Sequence, residues 1–310
     1  METKWLEDFL CLAELRSFSR AAAVRHVTQP AFSRRIRALE TWLGAELIDR
    51  ATYPTRLTPA GEVFREQAGE ILRNILDVRA AVQGGEEPAE DGVQFAVPHT
   101  LSLTFFPKWL AEVEALTGGL TTRLVAANVH DAVTALVEGN CDLLLCYHHA
   151  AQPVQLDPQR YPVLLLGVER LQPYTRANAQ GEPRFRLPGS ASRPVPFLAY
   201  SANAYLGRIV ETVLRSAPRA AHLRRRYETD MAEALKAMVL EGHGVAWLPD
   251  SAVQRETRRR QLAPAAPAEE LAQWSGEMEI RLYRDAGRRR PVLDRVWAAV
   301  EHLVGHAKSA

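Results

Sequence analysis

Residues 16–40 read RSFSRAAAVRHVTQPAFSRRIRALE, and this stretch decides the fold of the N-terminal part. Ala21, Ala22 and Ala23 permit close packing in a short helix predicted over 19–25, with Ser19 as its cap. Thr28 caps the helix that follows, and Pro30 stands in its first turn, where the missing N–H costs nothing. Phe32, Ile36 and Leu39 fall at i, i+4 and i+7 of that helix and make its inward face. The opposite face carries Gln29, Ser33 and Arg37, flanked by Pro30 and Arg34. A small-residue helix, a tight turn and a second helix with a polar outer face describe a helix-turn-helix. Gln pairs bidentately with adenine and Arg with guanine in the major groove. Thr28, beside the free N–H groups of a helix start, suits a phosphate.

The flanking sequence supports the same reading. Trp5, Leu6, Phe9, Leu12, Ala13 and Leu15 share one face of a helix predicted over 3–15. Gly44 ends the second helix of the motif. LIDR at 47–50 and TRLT at 55–58, joined across Tyr53-Pro54, form a short hairpin whose Arg50 and Arg56 reach flanking phosphates. Thr58 and Pro59 open a long helix over 59–83. Its apolar residues Phe64, Ala68, Ile71, Ile75, Val78 and Val82 are spaced 4, 3, 4, 3, 4, a coiled-coil seam suited to dimerisation. Gly84-Gly85 and the acidic EEPAEDG then supply a hinge. The whole chain carries +1, yet residues 16–60 hold eight arginines against three carboxylates. A basic module on a mildly acidic body points to nucleic acid.

From residue 93 strand-like and helix-like segments alternate. VQFAV (93–97), TTRLVAA (121–127), CDLLLCY (141–147) and YPVLLLGVERLQPY (161–174) read as strands around helices at 100–116 and 130–138. VPFLAY (195–200), HLRRRYET (222–229), GVAWLP (244–249) and EMEIRLYR (277–284) continue the pattern, with helices at 203–216, 231–241, 250–260 and 291–305. That alternation predicts an α/β fold with parallel sheets, in two units joined by extended crossings. A small ligand then belongs in the cleft outside the strands' carboxyl ends. Those ends hold His99, Thr100, Ser102, Asn128, Tyr147, His148, Tyr200, Ser201, Asn203 and Trp247. Thr100 and Ser102, at a helix start, lead us to expect an anionic or oxidised small species there.

The remaining chemistry is sparse. Cys11, Cys141 and Cys146 lack zinc spacing, and a strand-like run places Cys141 and Cys146 on opposite faces as buried free thiols. His148-His149 has no carboxylate or thiol at ligand spacing, so neither metal nor cofactor is expected. The arginine clusters at 224–226, 258–260 and 288–290 read as solvated ends. No GxGxxG after a strand, GxxxxGK[ST], GxSxG or HExxH occurs, which argues against an enzyme. METKWLEDFL is no signal peptide and the apolar run VLLLGV stops at six residues, so a cytoplasmic location is expected. The competing reading is a two-lobed binding protein or enzyme with no DNA role.

TQPAFSRRIRALE, followed by LGAELIDR and RLTPAG, resembles the N-terminal signature of LysR-type transcriptional regulators, and the similarity runs the full length. The resemblance implies a winged helix-turn-helix over 1–58 and a linker helix and hinge over 59–90. It further implies a two-lobed, periplasmic-binding-protein-like effector domain over 91–310, with lobe I about 91–165 and 268–310 and lobe II about 166–267. The implied partners are promoter DNA, a small effector, a second copy in a dimer, commonly a tetramer, and RNA polymerase. ETKWLEDFL, HTLSL (99–103), YSANAYLGR (200–208) and GVAWLP are similar to the family's hypochlorite-responsive branch, which is associated with methionine oxidation. Only Met1, Met231, Met238 and Met278 are present and YSANAYLGR carries Leu206 at its centre, which argues against copying that mechanism wholesale. Met231, at a strand-to-helix junction, is the candidate redox position, ahead of Cys141 and Cys146.

Overall fold

The computed structural model describes residues 2–52, 54–82 and 92–307. The chain opens with α1 (Thr3–Leu15), α2 (Phe18–Val24) and α3 (Gln29–Leu43). Leu6, Phe9, Phe32, Ile36 and Leu39 are fully buried where these helices meet. Ser17, not Ser19, accepts the Arg20 N–H as the cap of α2, because the helix begins one residue earlier than its alanines suggest. Gly44 takes φ +69° and ends α3 in the left-handed conformation that a side chain would resist. Asp8 is a polar interruption of this apolar core. It pairs with Arg25 at 2.9 Å and Arg35 at 3.2 Å, which holds α1, α2 and α3 together.

Strands β1 (Ile48–Asp49) and β2 (Arg56–Leu57) make the antiparallel hairpin; Tyr53 lies outside the described residues. Glu40 sets its position: one carboxylate oxygen accepts the N–H groups of Leu47 and Ile48 at 3.0 and 3.2 Å, and the other binds Arg50. α4 (Pro59–Val82) starts at Thr58, whose hydroxyl accepts the Gly61 N–H at 3.0 Å and donates to the Glu46 carbonyl at 2.6 Å. Gly61 is fixed by crowding, since a Cβ there would stand 2.1 Å from the Leu47 carbonyl oxygen. Gly61→Ala should therefore destabilise the N-terminal domain by about 1–3 kcal/mol, seen as earlier loss of that domain in denaturant unfolding of the whole chain.

The seam predicted on α4 divides in two. Phe64 and Ala68 pack into the N-terminal core, Phe64 against Phe9 at 5.2 Å, and Leu72 joins them. Ile71 and Ile75 face outward, together with Val63. The spacing registered apolar residues but not that one flank covers α1. The side chains of Val78 and Val82, and the Gly84-Gly85 hinge, lie outside the described residues.

The body is one mixed sheet with helices on both faces. Its first part is β3 (Gly92–Pro98), α5 (His99–Thr104), α6 (Phe106–Thr117), β4 (Thr121–Ala127), α7 (Val129–Val137) and β5 (Leu143–His148). β6 (Val163–Arg176) leads into β7 (Val195–Tyr200), α8 (Tyr205–Ser216), β8 (Leu223–Thr229), α9 (Ala232–Leu240), β9 (Val245–Pro249) and α10 (Asp250–Arg258). β10 (Leu262–Pro264), α11 (Ala268–Leu271), β11 (Gly276–Arg284) and α12 (Pro291–Ala307) close the chain. The strand order is β4-β3-β5-β11-β6-β9-β7-β8, with β10 beside β6. Pairing is parallel within each end, β3 with β4 and β5, and β7 with β8 and β9. It is antiparallel where the long β6 and β11 cross the middle, so the two lobes share a hydrogen-bonded sheet instead of two separate parallel ones.

Further differences have local causes. The helix expected over 100–116 breaks at Phe105 because Pro107 restarts it as α6. β10 and α11 are too short to give a period. Cys141 and Cys146 lie in the same apolar cluster, since β5 begins only at Leu143 and alternation does not reach Cys141. All three cysteines are free and buried. Burial pushes the Cys11 and Cys141 thiols up to about 12, and that of Cys146 up as well. Arg288 and Arg290, expected to be solvated, pair with the buried Asp142 at 2.8 and 3.3 Å.

Candidate functional site

Two concave surfaces carry the candidate residues. The first lies on the N-terminal domain, where Gln29, Ser33 and Arg37 of α3 and Arg50, Thr52 and Thr55 of the hairpin line a hollow of about 360 Å³. Burial of Phe32, Ile36 and Leu39 turns the opposite stripe outward, so Gln29, Pro30, Arg34 and Arg37 are exposed and Ser33 is half-buried. Thr28 occupies the helix cap position, but its hydroxyl makes no capping bond, so the first N–H groups of α3 stay free of it. Arg56 is exposed on β2. Arg50 differs from the sequence expectation: its guanidinium is tied to Glu40 and props the hairpin against α3. The surface as a whole presents cations and amides at helix-plus-hairpin spacing, which suits a groove flanked by phosphates.

The second surface is the cleft between the lobes, about 420 Å³. It gathers His99, Thr100, Asn128, Tyr147, Ser201 and Asn203, as expected from the strand ends. Met231, half-exposed at the start of α9, lines the same space. Four expected residues lie elsewhere. Ser102 donates to the His99 carbonyl at 2.7 Å within its own helix. His148 alternates with Tyr147 along β5 and so faces the other way, where its Nδ1 accepts the Val154 N–H. Trp247 is core: it packs edge-on against Phe197 and donates Nε1–H to the Trp274 carbonyl at 2.6 Å. Tyr200 is buried behind the cleft.

The hydroxyls of Tyr147 and Tyr200 are buried with no hydrogen-bond partner among the described residues. Burial pushes both phenols well up, with Glu169 and Glu233 adding to the rise for Tyr147 and Glu233 for Tyr200, so both stay protonated. Sequence reasoning missed Glu228 and Asp230, which line the cleft from the end of β8. Arg225 answers Glu228 at 2.6 Å, and among the described residues Asp230 has no ion-pair partner. The wall therefore adds negative charge where an anion was expected. Nothing in the sequence marks these carboxylates, because only the fold brings them to the cleft. No group of three or more His, Cys, Asp or Glu residues able to hold a metal occurs among the described residues. None of the described helices is long and apolar enough to cross a membrane.

Two segments of the chain match two family models, the bacterial regulatory helix-turn-helix protein, lysR family, over 3–62 and the LysR substrate binding domain over 87–304. The HTH-type transcriptional regulator YjiE of Escherichia coli is 34% identical over 98% of this chain and 95% of its own. Full-length HypT of Salmonella typhimurium, described as a hypochlorite-specific LysR-type regulator, superposes with TM-score 0.60 at 32% identity over 98% of this chain and 99% of its own. DarR of Vibrio fischeri, crystallised with DNA, gives TM-score 0.59 at 33% identity over 97% of this chain and 98% of its own. Fold and sites together define a DNA-binding transcriptional regulator with an effector-binding domain. The chain belongs to the LysR family of such regulators. A two-lobed protein without a DNA role does not account for the N-terminal domain.

Proposed function

We propose that this regulator is cytoplasmic and not an enzyme, that it reads promoter DNA through α3, and that its interlobe cleft receives an uncharged oxidant. The proposed division is 1–58 for DNA binding, 59–90 for dimerisation and hinge, and 91–310 for the signal. Gln29, Ser33 and Arg37 read bases, while Thr28, Arg34 and Arg56 take phosphates.

The observation that carries the signal reading is Met231, 42% exposed among the cleft residues, whereas Met278 is buried and Met238 is packed against the core. The cleft and the methionine, alternatives in the sequence, are one place. Asp230 beside it disfavours an anion, and an uncharged hypohalous acid enters without that penalty. The thioether sulfur of Met231 would gain the oxygen of hypochlorous acid as the sulfoxide, while chlorine leaves as chloride with release of a proton. A polar sulfoxide at the start of α9 changes what the lobes prefer to pack against. The buried thiols, held protonated, suit this chemistry poorly.

A reporter of the regulated promoter, challenged with hypochlorite in cells, tests the reading. Met231→Leu should abolish the response, and peptide mass spectrometry of the treated protein should place one added oxygen on Met231. An undiminished response from Met231→Leu would remove the methionine from the mechanism.

A further inference from the structure

A third hollow, about 400 Å³, lies where the DNA-binding domain rests on the effector domain. The contact is a built one. Glu14 of α1 accepts the Asp157 N–H at 3.0 Å, Arg20 of α2 donates to the Gln155 side chain at 2.8 Å, and Arg25 reaches Glu138 at the end of α7. Between these contacts Leu15 and Val24 of the DNA-binding domain face Val129, Val133, Val137 and Val154 across the hollow. The start of α8 closes it from the other lobe with Tyr205 and Arg208.

The charges around this apolar space are unevenly answered. Of its carboxylates, Glu138 has Arg25 and Glu14 has a backbone N–H. Its guanidiniums have only neutral acceptors. Arg20 binds the Gln155 amide oxygen and the Leu15 carbonyl. Arg208 binds the Asn203 carbonyl at 3.3 Å and lies 5.8 Å from the Tyr205 ring centroid, and its Nε–H is buried with no acceptor among the described residues. A buried cationic donor without an acceptor is costly, and a carboxylate is the partner that a guanidinium's parallel N–H groups fit best.

We propose that this interdomain hollow is a second ligand site, for a small apolar monocarboxylate whose hydrocarbon fills the valine-lined space and whose carboxylate binds Arg208. Such a ligand touches the DNA-binding domain and both lobes at once, so it holds α1 and α2 against the effector domain. Val129 and Tyr205 also line the interlobe cleft, so occupancy of either site is felt at the other, and reciprocally. The site is independent of the oxidant reading, since it involves neither Met231 nor Thr100.

Titration of the full-length protein with 2-naphthoate, followed by its fluorescence, tests the proposal, with the neutral 2-naphthalenemethanol as control. We expect saturable binding of the carboxylate at one site per chain and at least tenfold weaker binding of the alcohol. Arg208→Gln should weaken binding of the carboxylate at least tenfold. Ala23→Trp fills the hollow from the DNA-binding side, where Ala23 is exposed and does not line the interlobe cleft, and should abolish binding. Val133→Phe does the same from lobe I and stands in if Ala23→Trp fails to fold. Thr100→Val with Ser201→Ala should leave the affinity unchanged. The proposal is overturned if 2-naphthoate does not bind at millimolar concentration, if a folded filling variant binds as wild type does, or if the cleft double variant loses binding instead.

Discussion

Gln29→Ala should lower affinity for the preferred operator by about 1–3 kcal/mol per half-site, and in a symmetric dimer by twice that, because each protomer presents the same α3. Ser33→Ala acts in the same direction. Both side chains lie on the outward stripe of α3, and neither belongs to the buried core, so the fold should stay intact while the proposed base-edge contact is lost. Affinity for a scrambled duplex should barely change, and discrimination between the two duplexes should shrink. Arg56→Ala should behave differently, weakening both duplexes alike and reducing the salt slope by about one contact per half-site. Arg50→Ala should loosen the hairpin and weaken binding through it, since it strips Glu40 of its cation. Fluorescence anisotropy on specific and scrambled duplexes over a range of salt separates these cases. Equal losses on both duplexes for Gln29→Ala would remove it from base readout.

The helix-turn-helix was legible because each of its signals is local. Pro30 in the first turn, Gly44 past the end and three inward apolar residues specify α3 without reference to the rest of the chain. The cleft was half-legible, because strand ends are visible in the sequence and strand neighbours are not. Thr100 and Ser201, about a hundred residues apart, were expected on one cleft, but Glu228, Asp230 and Met231 join them only through the pairing of β8 with β7. Trp247 shows the opposite error. The sequence placed it at a strand end, but it is the middle residue of β9, which lies between β6 and β7 in the sheet interior, and a buried indole with a satisfied N–H is core. The sharing of one sheet by both lobes was hidden for the same reason: antiparallel pairing of β6 and β11 spans more than a hundred residues. Buried charge was hidden most completely. Asp8 and Arg25 read as ordinary surface residues of amphipathic helices, and only packing reveals that they join α1, α2, α3 and, through Glu138, the effector domain.

Replacing both Ile71 and Ile75 with aspartate should convert the dimer to monomer at micromolar concentration and remove tight operator binding. Phe64, Ala68 and Leu72 already pack into the N-terminal core, so among the described residues the large apolar side chains left exposed on α4 are Val63, Ile71 and Ile75. An exposed apolar row on a helix is a surface that a second copy can cover. Two substitutions per chain place four carboxylates in one small interface. Burying an uncompensated carboxylate costs several kcal/mol, which outweighs what two isoleucines contribute by their burial. The isolated protomer should keep its stability, because both side chains are exposed there, and unfolding extrapolated to low protein concentration should match wild type. Operator binding falls for a separate reason: two half-sites held by one dimer bind as a unit, and a monomer must bind each alone. Sedimentation velocity decides the matter directly. A double variant that sediments as wild type does would place the dimer contact on another face of the chain and leave Ile71 and Ile75 without that role.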